Sequence, residues 1–393
     1  MGLRYTLLDS NAGDTSPATS PILRPDQTSQ PIGPLVQRCK ICLLPAAVPG
    51  ADLDRAGVCR YCRDPSAAAA DQERQEAKRK LHAADLERTL AAVRGQGRPY
   101  DVLVCLSGGK DSLYLLHRLK IDHGLNVLAF TTDVNIPDVA WRSIRRAVAK
   151  LEVDHLIYRP PDAFYRKLFK YLLTQQEERG AVYTISYVYA PLFEGDALAV
   201  AYEKGIPLVA AGYSPGQPEP ERMEYEFSRR LVTEVDWTPP GLRDCGLFSE
   251  QELARFWNPT RFPQSSAFPR YIAPFHAWEY DQDLVMREVV RLGLVDKASH
   301  ASPIVSNYPI NWLLMYSDLQ NFGYNPYAPE FAALIRSGKA NRNYWRVMQP
   351  LVDLMIKRRL FLGRNVTSHL QWLGLKAGDL KITQPRGAYD PPL

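Results

Sequence analysis

The feature that most constrains this chain is an apolar run that ends abruptly in Ser-Gly-Gly-Lys-Asp-Ser, at residues 107–112. The preceding run, Val-Leu-Val-Cys-Leu at residues 102–106, has the length and composition of a buried strand. Leucines then recur at helical spacing, at positions 113, 115, 116 and 119. This order predicts a buried strand, a tight glycine turn and the start of a helix.

The glycines of this turn suit a bound anion. Gly108 and Gly109 carry no Cβ atoms, so backbone N–H groups can close on phosphate oxygens. The positive end of the predicted helix points the same way. The turn is therefore predicted to bind phosphate.

The other side chains of the turn extend this prediction. Ser107 and Ser112 supply hydroxyl donors, and Lys110 supplies a positive charge. Asp111 beside a phosphate is explained if it orients Mg²⁺ that bridges nucleotide phosphates. We therefore predict that Lys110, Asp111 and Ser112 contact the phosphates and their cation.

The hexapeptide is not a Walker loop, which has four residues between its glycines and ends in Gly-Lys-Ser/Thr. It resembles the Ser-Gly-Gly-x-Asp-Ser loop of the PP-loop ATP pyrophosphatases. The resemblance implies an enzyme that splits ATP between the α and β phosphates and adenylates a carbonyl or carboxyl oxygen. A nitrogen or sulfur nucleophile would then displace AMP. The resemblance implies that Lys110, Asp111 and Ser112 are the catalytic residues. The alternative, a glycine-serine turn that follows a strand by chance, is disfavoured by the strand–turn–helix context.

Further strands are predicted at residues 126–133, 155–158 and 206–212, alternating with helices that include 164–173 and 192–202. The fold class is therefore α/β, a doubly wound parallel sheet in which ligands bind at the carboxyl ends of the strands. Polar residues and a second glycine-rich turn follow these strands. The candidate nucleotide-binding residues there are Thr132, Asp133, Gly212, Tyr213, Ser214 and Gln217.

Four of the six cysteines form two Cys-x-x-Cys pairs, Cys39 with Cys42 and Cys59 with Cys62, with sixteen residues between the pairs. This spacing is typical of a four-cysteine Zn²⁺ site, which is structural because it leaves no open coordination position. Disulfides, a redox pair and an iron–sulfur cluster are the alternatives.

Composition is ordinary for a soluble globular protein, with 46% hydrophobic and 23% charged residues in 393. The net charge of +5 suits an anionic ligand such as ATP but is too small to argue for nucleic acid. No run is long enough to span a bilayer and no signal peptide is evident. The lack of both segments, together with cysteines in a metal-binding pattern, predicts a cytoplasmic protein.

We predict six segments along the chain. One of them contains the stretch that follows the sheet. This stretch is predicted to be irregular, with helical pieces at 222–230 and 249–257, and to shape the substrate site. Later helices are predicted at 283–292, 311–321 and 329–336. The segments are a flexible tail (1–36), a zinc ribbon (37–66), a linking helix (67–97), an ATP-binding α/β domain (98–218), an insertion with a helical C-terminal region (219–385) and a second tail (386–393).

Several pieces together are similar to a narrower branch, the N-acetyl sugar amidotransferase-like PP-loop proteins. They are the cysteine ribbon, residues 107–112, 131–133 and 212–217, and a late segment from Asn311-Trp312 to Ile335-Arg336. The resemblance implies amidation of a carboxyl group on a nucleotide-linked sugar, with ammonia from a separate glutaminase. This chain departs from some relatives by lacking cysteines at 183–189 and 302–311, which favours a nitrogen nucleophile over sulfur.

Three functions remain open on sequence grounds. The first is an AMP-forming amidotransferase or amide synthetase on a small carboxylated substrate. The second is a sulfurtransferase on a metabolite or tRNA, with Cys245 as the candidate sulfur carrier. The third is a zinc-ribbon module with a nucleotide-sensing domain, which the intact Lys110-Asp111-Ser112 disfavours. A homodimer is compatible with the sequence, and the acceptor is not specified by it.

Overall fold

The computed structural model of the chain describes residues 37–215, 223–263, 267–306 and 308–390. The predicted tail at residues 1–36 and the candidate site residue Gln217 therefore lie outside the described residues.

A five-stranded sheet in the order β3-β2-β1-β5-β6 organises the fold, and all its neighbouring strands pair in parallel. A second sheet joins β4 to β7, also in parallel. The strands are β1 (Val102–Cys105), β2 (Val127–Thr132), β3 (Asp154–Tyr158), β4 (Gln176–Glu177), β5 (Leu208–Ala210), β6 (Arg270–Ile272) and β7 (Ile382–Gln384).

Helices cover both faces of the large sheet and build the C-terminal half. Those up to residue 203 are α1 (Arg60–Arg63), α2 (Pro65–Val93), α3 (Lys110–His117), α4 (Asp138–Leu151), α5 (Asp162–Thr174) and α6 (Ala181–Glu203). The later ones are α7 (Arg229–Thr233), α8 (Pro240–Asp244), α9 (Glu250–Leu253), α10 (Gln282–Arg291), α11 (Ala298–Ala301), α12 (Pro303–Ser306), α13 (Asn311–Phe322), α14 (Ala328–Arg336), α15 (Arg342–Arg358) and α16 (Arg364–Leu373).

The central strand β1 is apolar on both sides because both faces of the sheet are covered. Val102 and Val104 belong to the core on one face, together with α3, α4 and α10. Leu103 points to the other face, where it packs with Ala197 and Leu198 of α6. The predicted fold class, an α/β doubly wound parallel sheet, is confirmed.

The strand order reverses beside β1, because β2 and β3 lie on one side of it and β5 lies on the other. In parallel sheets, a crevice opens at the carboxyl ends of the two strands that flank such a reversal. The turn at residues 107–112 follows β1 and the turn at 211–215 follows β5, so the topology brings the two predicted turns to one crevice.

Two segments differ from the sequence-based prediction. Helix α6 begins at Ala181, well before the predicted start at residue 192, and contains Pro191. The predicted helix at 222–230 is wrong over residues 223–228, where Met223 forms an antiparallel bridge with Phe227, and α7 begins only at Arg229 and ends at Thr233. The strand β6 was not predicted. It pairs with β5 and extends the large sheet, although it lies beyond residue 218, where the predicted ATP-binding domain ends. The predicted domain boundaries stay predictions.

Candidate active site

The turn after β1 requires glycine at its second position. Gly108 has φ +79°, and a Cβ atom there would lie 2.7 Å from the carbonyl oxygen of Ala140 in α4. A side chain would therefore clash with backbone that cannot move independently. The close approach of the turn to α4 fixes where the backbone N–H groups of the turn lie.

Hydroxyl groups brace the same turn. The backbone N–H of Ser107 donates to Oγ of Ser112 across 3.2 Å, and that hydroxyl donates to the carbonyl of Gly109 across 3.1 Å. The two serine hydroxyls lie 3.2 Å apart. Both hydroxyls predicted to hold phosphate are therefore brought together at the start of α3.

Lys110 is 7% exposed, and its ammonium group lies 2.5 Å from Oδ2 of Asp111. It also lies 3.1 Å from the hydroxyl of Tyr280, which donates to Oδ1 of Asp111 across 2.9 Å. Burial opposes the charge on Lys110, but Asp111 and Tyr280 outweigh it and raise the pKa of the lysine. The lysine is therefore a permanent buried cation.

Tyr280 is a site residue that sequence reasoning missed. It lies between the short turn at Pro274–His276 and α10, in a segment with no motif. Burial, followed by the Asp111 carboxylate, raises the pKa of its hydroxyl, so it acts here as a neutral donor and acceptor.

The second glycine-rich turn touches the first. A Cβ atom at Gly212 would lie 2.9 Å from the backbone nitrogen of Ser112, so the backbones of the two turns are in direct contact. Tyr213 follows and donates from its hydroxyl to Glu194 across 2.8 Å, and Ser214 is buried. The prediction that both turns form one surface thus fits the geometry.

The two predicted residues at the end of β2 differ in position. Thr132 lines the crevice, and its hydroxyl lies 3.5 Å from Oδ2 of Asp196 in α6. Burial raises the pKa of Asp196 to about 7, opposed by Arg255 and by the Thr132 hydroxyl. Asp133 is paired with Arg159 across 3.1 Å and does not line the crevice, so the structure does not bring it to the other candidates.

Two adjoining cavities open at this place. The first, of about 280 Å³, lies at the carboxyl ends of β1, β2 and β5. Its lining includes Leu106, Ser107, Gly109, Lys110, Asp111, Ser112, Phe130, Thr132, Phe193, Gly212 and Tyr213. Backbone amides, two hydroxyls and a lysine are gathered at one end of this partly apolar cavity, and groups of this kind can hold an anion such as a phosphate.

The second cavity, of about 390 Å³, lies between α6, α13, α14 and α15. Lys110 and Asp111 line both cavities, as do Phe193, Tyr213 and Tyr308. Glu330 of α14 lies in its wall, where burial raises the pKa of the carboxyl group to about 8. The charge of Lys110 lowers that pKa and the charge of Asp111 raises it, so both loop residues interact electrostatically with Glu330.

The four predicted metal ligands converge. The sulfur atoms of Cys39, Cys42, Cys59 and Cys62 all lie within 4.8 Å of one another. Tetrahedral Zn²⁺ with Zn–S bonds of about 2.3 Å places its sulfurs about 3.8 Å apart, so one ion fits. An iron–sulfur cluster spreads its thiolates over separate iron atoms and fits this spacing less well. Backbone N–H groups of Ile41 and Cys59 donate to Sγ of Cys39 at 3.4 and 3.3 Å, which suits a thiolate.

This four-cysteine loop packs against the helices that line the second cavity. Arg336 at the end of α14 donates to Sγ of Cys42 across 3.4 Å. Arg342 at the start of α15 donates to the carbonyls of Ile41 and Lys40 at 2.9 and 2.5 Å. Arg38 donates to Gln349 of α15 across 2.7 Å. The four-cysteine loop is thus attached to the wall of the second cavity through three arginines.

The two remaining cysteines lie apart. Cys105 ends β1 and lines the first cavity, and burial raises the pKa of its thiol to about 12. Cys245 donates its thiol to the carbonyl of Leu242 across 3.2 Å and lines neither cavity.

The sequence matches no protein-family model and no curated protein. Its structure is similar to NMN synthetase from Francisella tularensis, with 12% identity, 78% of this chain and 97% of that chain covered, and a TM-score of 0.33. It is also similar to a U34-tRNA thiolase from Methanococcus maripaludis, with 15% identity and a TM-score of 0.33; the match covers 90% of this chain and 96% of that chain.

A third similar structure is the NH₃-dependent NAD synthetase from Campylobacter jejuni, with 13% identity and a TM-score of 0.32; the match covers 79% of this chain and 99% of that chain. At TM-scores this low the matches carry no functional conclusion for this chain. Among the described helices, none combines the length and the hydropathy of a membrane span.

Proposed function

We propose that this chain is an ATP-dependent, AMP- and pyrophosphate-forming amidotransferase or amide synthetase on a small carboxylated substrate. The observation that carries the proposal is the position of Lys110 and Asp111, which line both cavities. A nucleotide in the first cavity and a carboxylate in the second would meet at this pair. The two turns in contact at Gly212 and Ser112 would close on the phosphates.

The first step would join the two ligands. A carboxylate oxygen of the acceptor attacks the α-phosphorus of ATP, the bond from that phosphorus to the bridging oxygen breaks, and pyrophosphate leaves with the bond electrons. Negative charge accumulates on the leaving phosphates, where Lys110 and the backbone amides of the loop stabilise it. Mg²⁺ bound with the nucleotide would neutralise further charge, and Asp111 would be the carboxylate that holds it.

Lys110 and Asp111 must exchange partners for this role. They now neutralise each other across 2.5 Å. Phosphate would draw the lysine away and leave the carboxylate for the cation, while Tyr280 keeps a hydrogen bond to each. The tyrosine therefore holds the pair in place through the exchange.

The second step would form the amide. Ammonia or an amine attacks the carbonyl carbon of the acyl adenylate, the bond to the AMP oxygen breaks, and the nitrogen releases a proton to water. Ammonia would come from a separate glutaminase partner. A nitrogen nucleophile is favoured over sulfur because Cys245 lines neither cavity and burial keeps Cys105 a thiol, with its pKa raised to about 12.

The experiment is product analysis. The protein is incubated with ATP, Mg²⁺, ammonium and a panel of carboxylic acids, and nucleotides and phosphates are separated. AMP and pyrophosphate are expected, whereas ADP and phosphate would refute the proposal. Ser112→Ala should reduce turnover, while Ser143→Ala, a buried serine of α4 that also donates to a backbone carbonyl across 3.1 Å, should not.

Sulfur transfer remains the alternative for the second step. It predicts that Cys245→Ser or Cys105→Ser abolishes turnover while nucleotide binding survives. Full activity of both variants with ammonium as the donor would remove it.

A further inference from the structure

The second cavity has a chemical character that narrows the acceptor. Nine of the 25 residues that line it are aromatic, and Phe331 stacks on Trp345 with ring centroids 3.6 Å apart. Flat rings present broad apolar faces to which another flat ring can bind by stacking. The aromatic lining residues include Phe193, Tyr280, Trp312, Phe331 and Trp345.

Positive charge is scarce in the same walls. Among the described residues that line the cavity, Lys110 is the one cation, and it serves the phosphates of ATP in the proposed function. Arg38 lies behind the wall, but its guanidinium is occupied by Gln349 and Asp353, each at 2.7 Å. Phosphate groups are normally bound by arginines, lysines or helix ends. Helices α10, α13 and α14 begin at residues of this lining, so helix ends are present, but no second cation is found among the described lining residues. The diphosphate of a nucleotide-linked sugar would therefore lack side-chain cations here.

One buried donor in the wall lacks a partner. Gln349 is 6% exposed, and its Nε2 has no hydrogen-bond partner among the described residues. The orientation of this amide is fixed, because Arg38 can only donate and therefore holds the oxygen Oε1. A buried N–H group without a partner is unfavourable, so a ligand oxygen near Gln349 would be bound strongly.

From these contacts we propose that the acceptor is a flat, mainly apolar carboxylic acid without phosphate groups. Its carboxylate lies at Lys110 and Asp111, its ring lies among the aromatic walls, and an uncharged oxygen accepts a hydrogen bond from Gln349. This inference rests on the proposed function for the role of the carboxylate, and it departs from the nucleotide-linked sugar that the sequence resemblance implies.

The test measures binding without nucleotide, by calorimetry, with three probes. They are 4-acetylbenzoate, 4-isopropylbenzoate, which has the same shape without the oxygen, and UDP-glucuronate. We expect 4-acetylbenzoate to bind about tenfold more tightly than 4-isopropylbenzoate, the effect of one hydrogen bond to a buried donor. Gln349→Glu, which keeps an oxygen for Arg38 but removes the donor, should abolish this difference.

Two further variants locate the binding. Ser186→Phe places a ring in the cavity from α6 and should eliminate binding of both benzoates, while Glu203→Phe, at an exposed position of the same helix, should not. Thermal melting reports whether each variant is folded. The proposal is overturned if UDP-glucuronate binds more tightly than the benzoates, if neither benzoate binds, or if Gln349→Glu keeps the tenfold preference.

A separate measurement distinguishes this inference from the proposed function. Binding of α,β-methylene-ATP with Mg²⁺ is measured on the same samples. If the analogue does not bind but the benzoates do, the proposed function fails and the assignment of the cavity to a flat acid stands. If the analogue binds and the benzoates do not, the inference fails alone.

Discussion

Arg38 Nη2 lies 2.7 Å from Asp353 Oδ2, which ties the residue before the first cysteine to the helix that lines the second cavity. Burial raises the pKa of Asp353, and Arg38 opposes that shift. The pair is mostly buried, with side chains 15% and 10% exposed. The same guanidinium donates a hydrogen bond to Oε1 of Gln349, so one side chain positions two side chains of α15.

Arg38→Gln should therefore be costly. It leaves a buried carboxylate without its cation, and losses of about 3–5 kcal/mol are typical of such changes. Urea unfolding would measure the loss. Arg230→Gln is the control, because its pair with Glu234 is 68% exposed on both sides and should contribute less than about 0.5 kcal/mol. Equal losses in the two variants would contradict the role given to Arg38.

Removal of one cysteine should release the metal. The purified chain is expected to contain about one Zn²⁺ per molecule, since four thiols fill a tetrahedral site. Cys59→Ser should lose it and lower the melting temperature, because Arg336 and Arg342 depend on the cysteine loop for their partners. Cys245→Ser should keep its zinc. Mass spectrometry measures the metal content of each variant. Iron in place of zinc would show that a cluster occupies the site.

Gly212→Ala should disturb the phosphate loop. The added methyl group would lie 2.9 Å from the backbone nitrogen of Ser112 and 3.0 Å from its Cα atom. Overpacking of this kind typically costs about 1–3 kcal/mol, so affinity for α,β-methylene-ATP should fall on the order of tenfold. Gly378→Ala is the matched control because nothing lies within 4 Å of its Cβ position. Unchanged affinity in Gly212→Ala would place the nucleotide elsewhere.

Tyr280→Phe should weaken turnover more than folding. The variant loses the hydroxyl that contacts Lys110 at 3.1 Å and Asp111 at 2.9 Å, while the ring stays. We expect turnover with ATP to fall about tenfold. Tyr100→Phe, which removes an exposed hydroxyl bonded to Asp154 at 2.6 Å, serves as the control. The two variants would have equal turnover if Tyr280 only filled space.

The carboxyl group of Glu330 should make stability depend on pH. Its pKa is about 8 in the folded chain against an ordinary value of 4.5, so the folded state binds the proton more tightly. Stability should therefore fall as pH rises from about 4.5 to about 8, by about 2–4 kcal/mol from this group. Glu330→Gln removes that contribution.

Urea unfolding at pH 5 and pH 8 measures the effect as the difference between wild type and Glu330→Gln. The exposed Glu203→Gln is the control and should follow the wild type. Parallel pH curves for wild type and Glu330→Gln would show that the folded chain does not hold this proton.

Local features of the chain were predictable. The strand, turn and helix at residues 102–119 follow from apolar periodicity and two adjacent glycines, and the cysteine spacing predicted a cluster that the structure brings together. Both signals lie within short stretches of chain, where residue type and spacing decide the outcome.

Side-chain contacts between distant helices were not predictable. Tyr280 and Gln349 become site residues only because distant segments meet at the second cavity, and no local motif marks them. Glu330 lies in the late segment that carries the resemblance, but its place in the cavity wall also depends on this packing. The start of α6 reads Ala-Val-Tyr-Thr-Ile-Ser-Tyr-Val-Tyr, rich in residues that favour strands, yet burial on nearly all sides keeps it helical. The short strand β6 forms because β5 offers an open edge, which sequence alone does not show.

The pairing of β4 with β7 has a consequence for synthesis of the chain. Gln176 pairs with Ile382, which leaves the ribosome about two hundred residues later. At translation rates of about 5–20 residues per second, the nascent chain waits on the order of ten seconds or longer before this sheet can form. Helix α6 begins directly after β4, so the first turn of the helix that lines both cavities lacks its neighbouring two-stranded sheet until β7 has been synthesised.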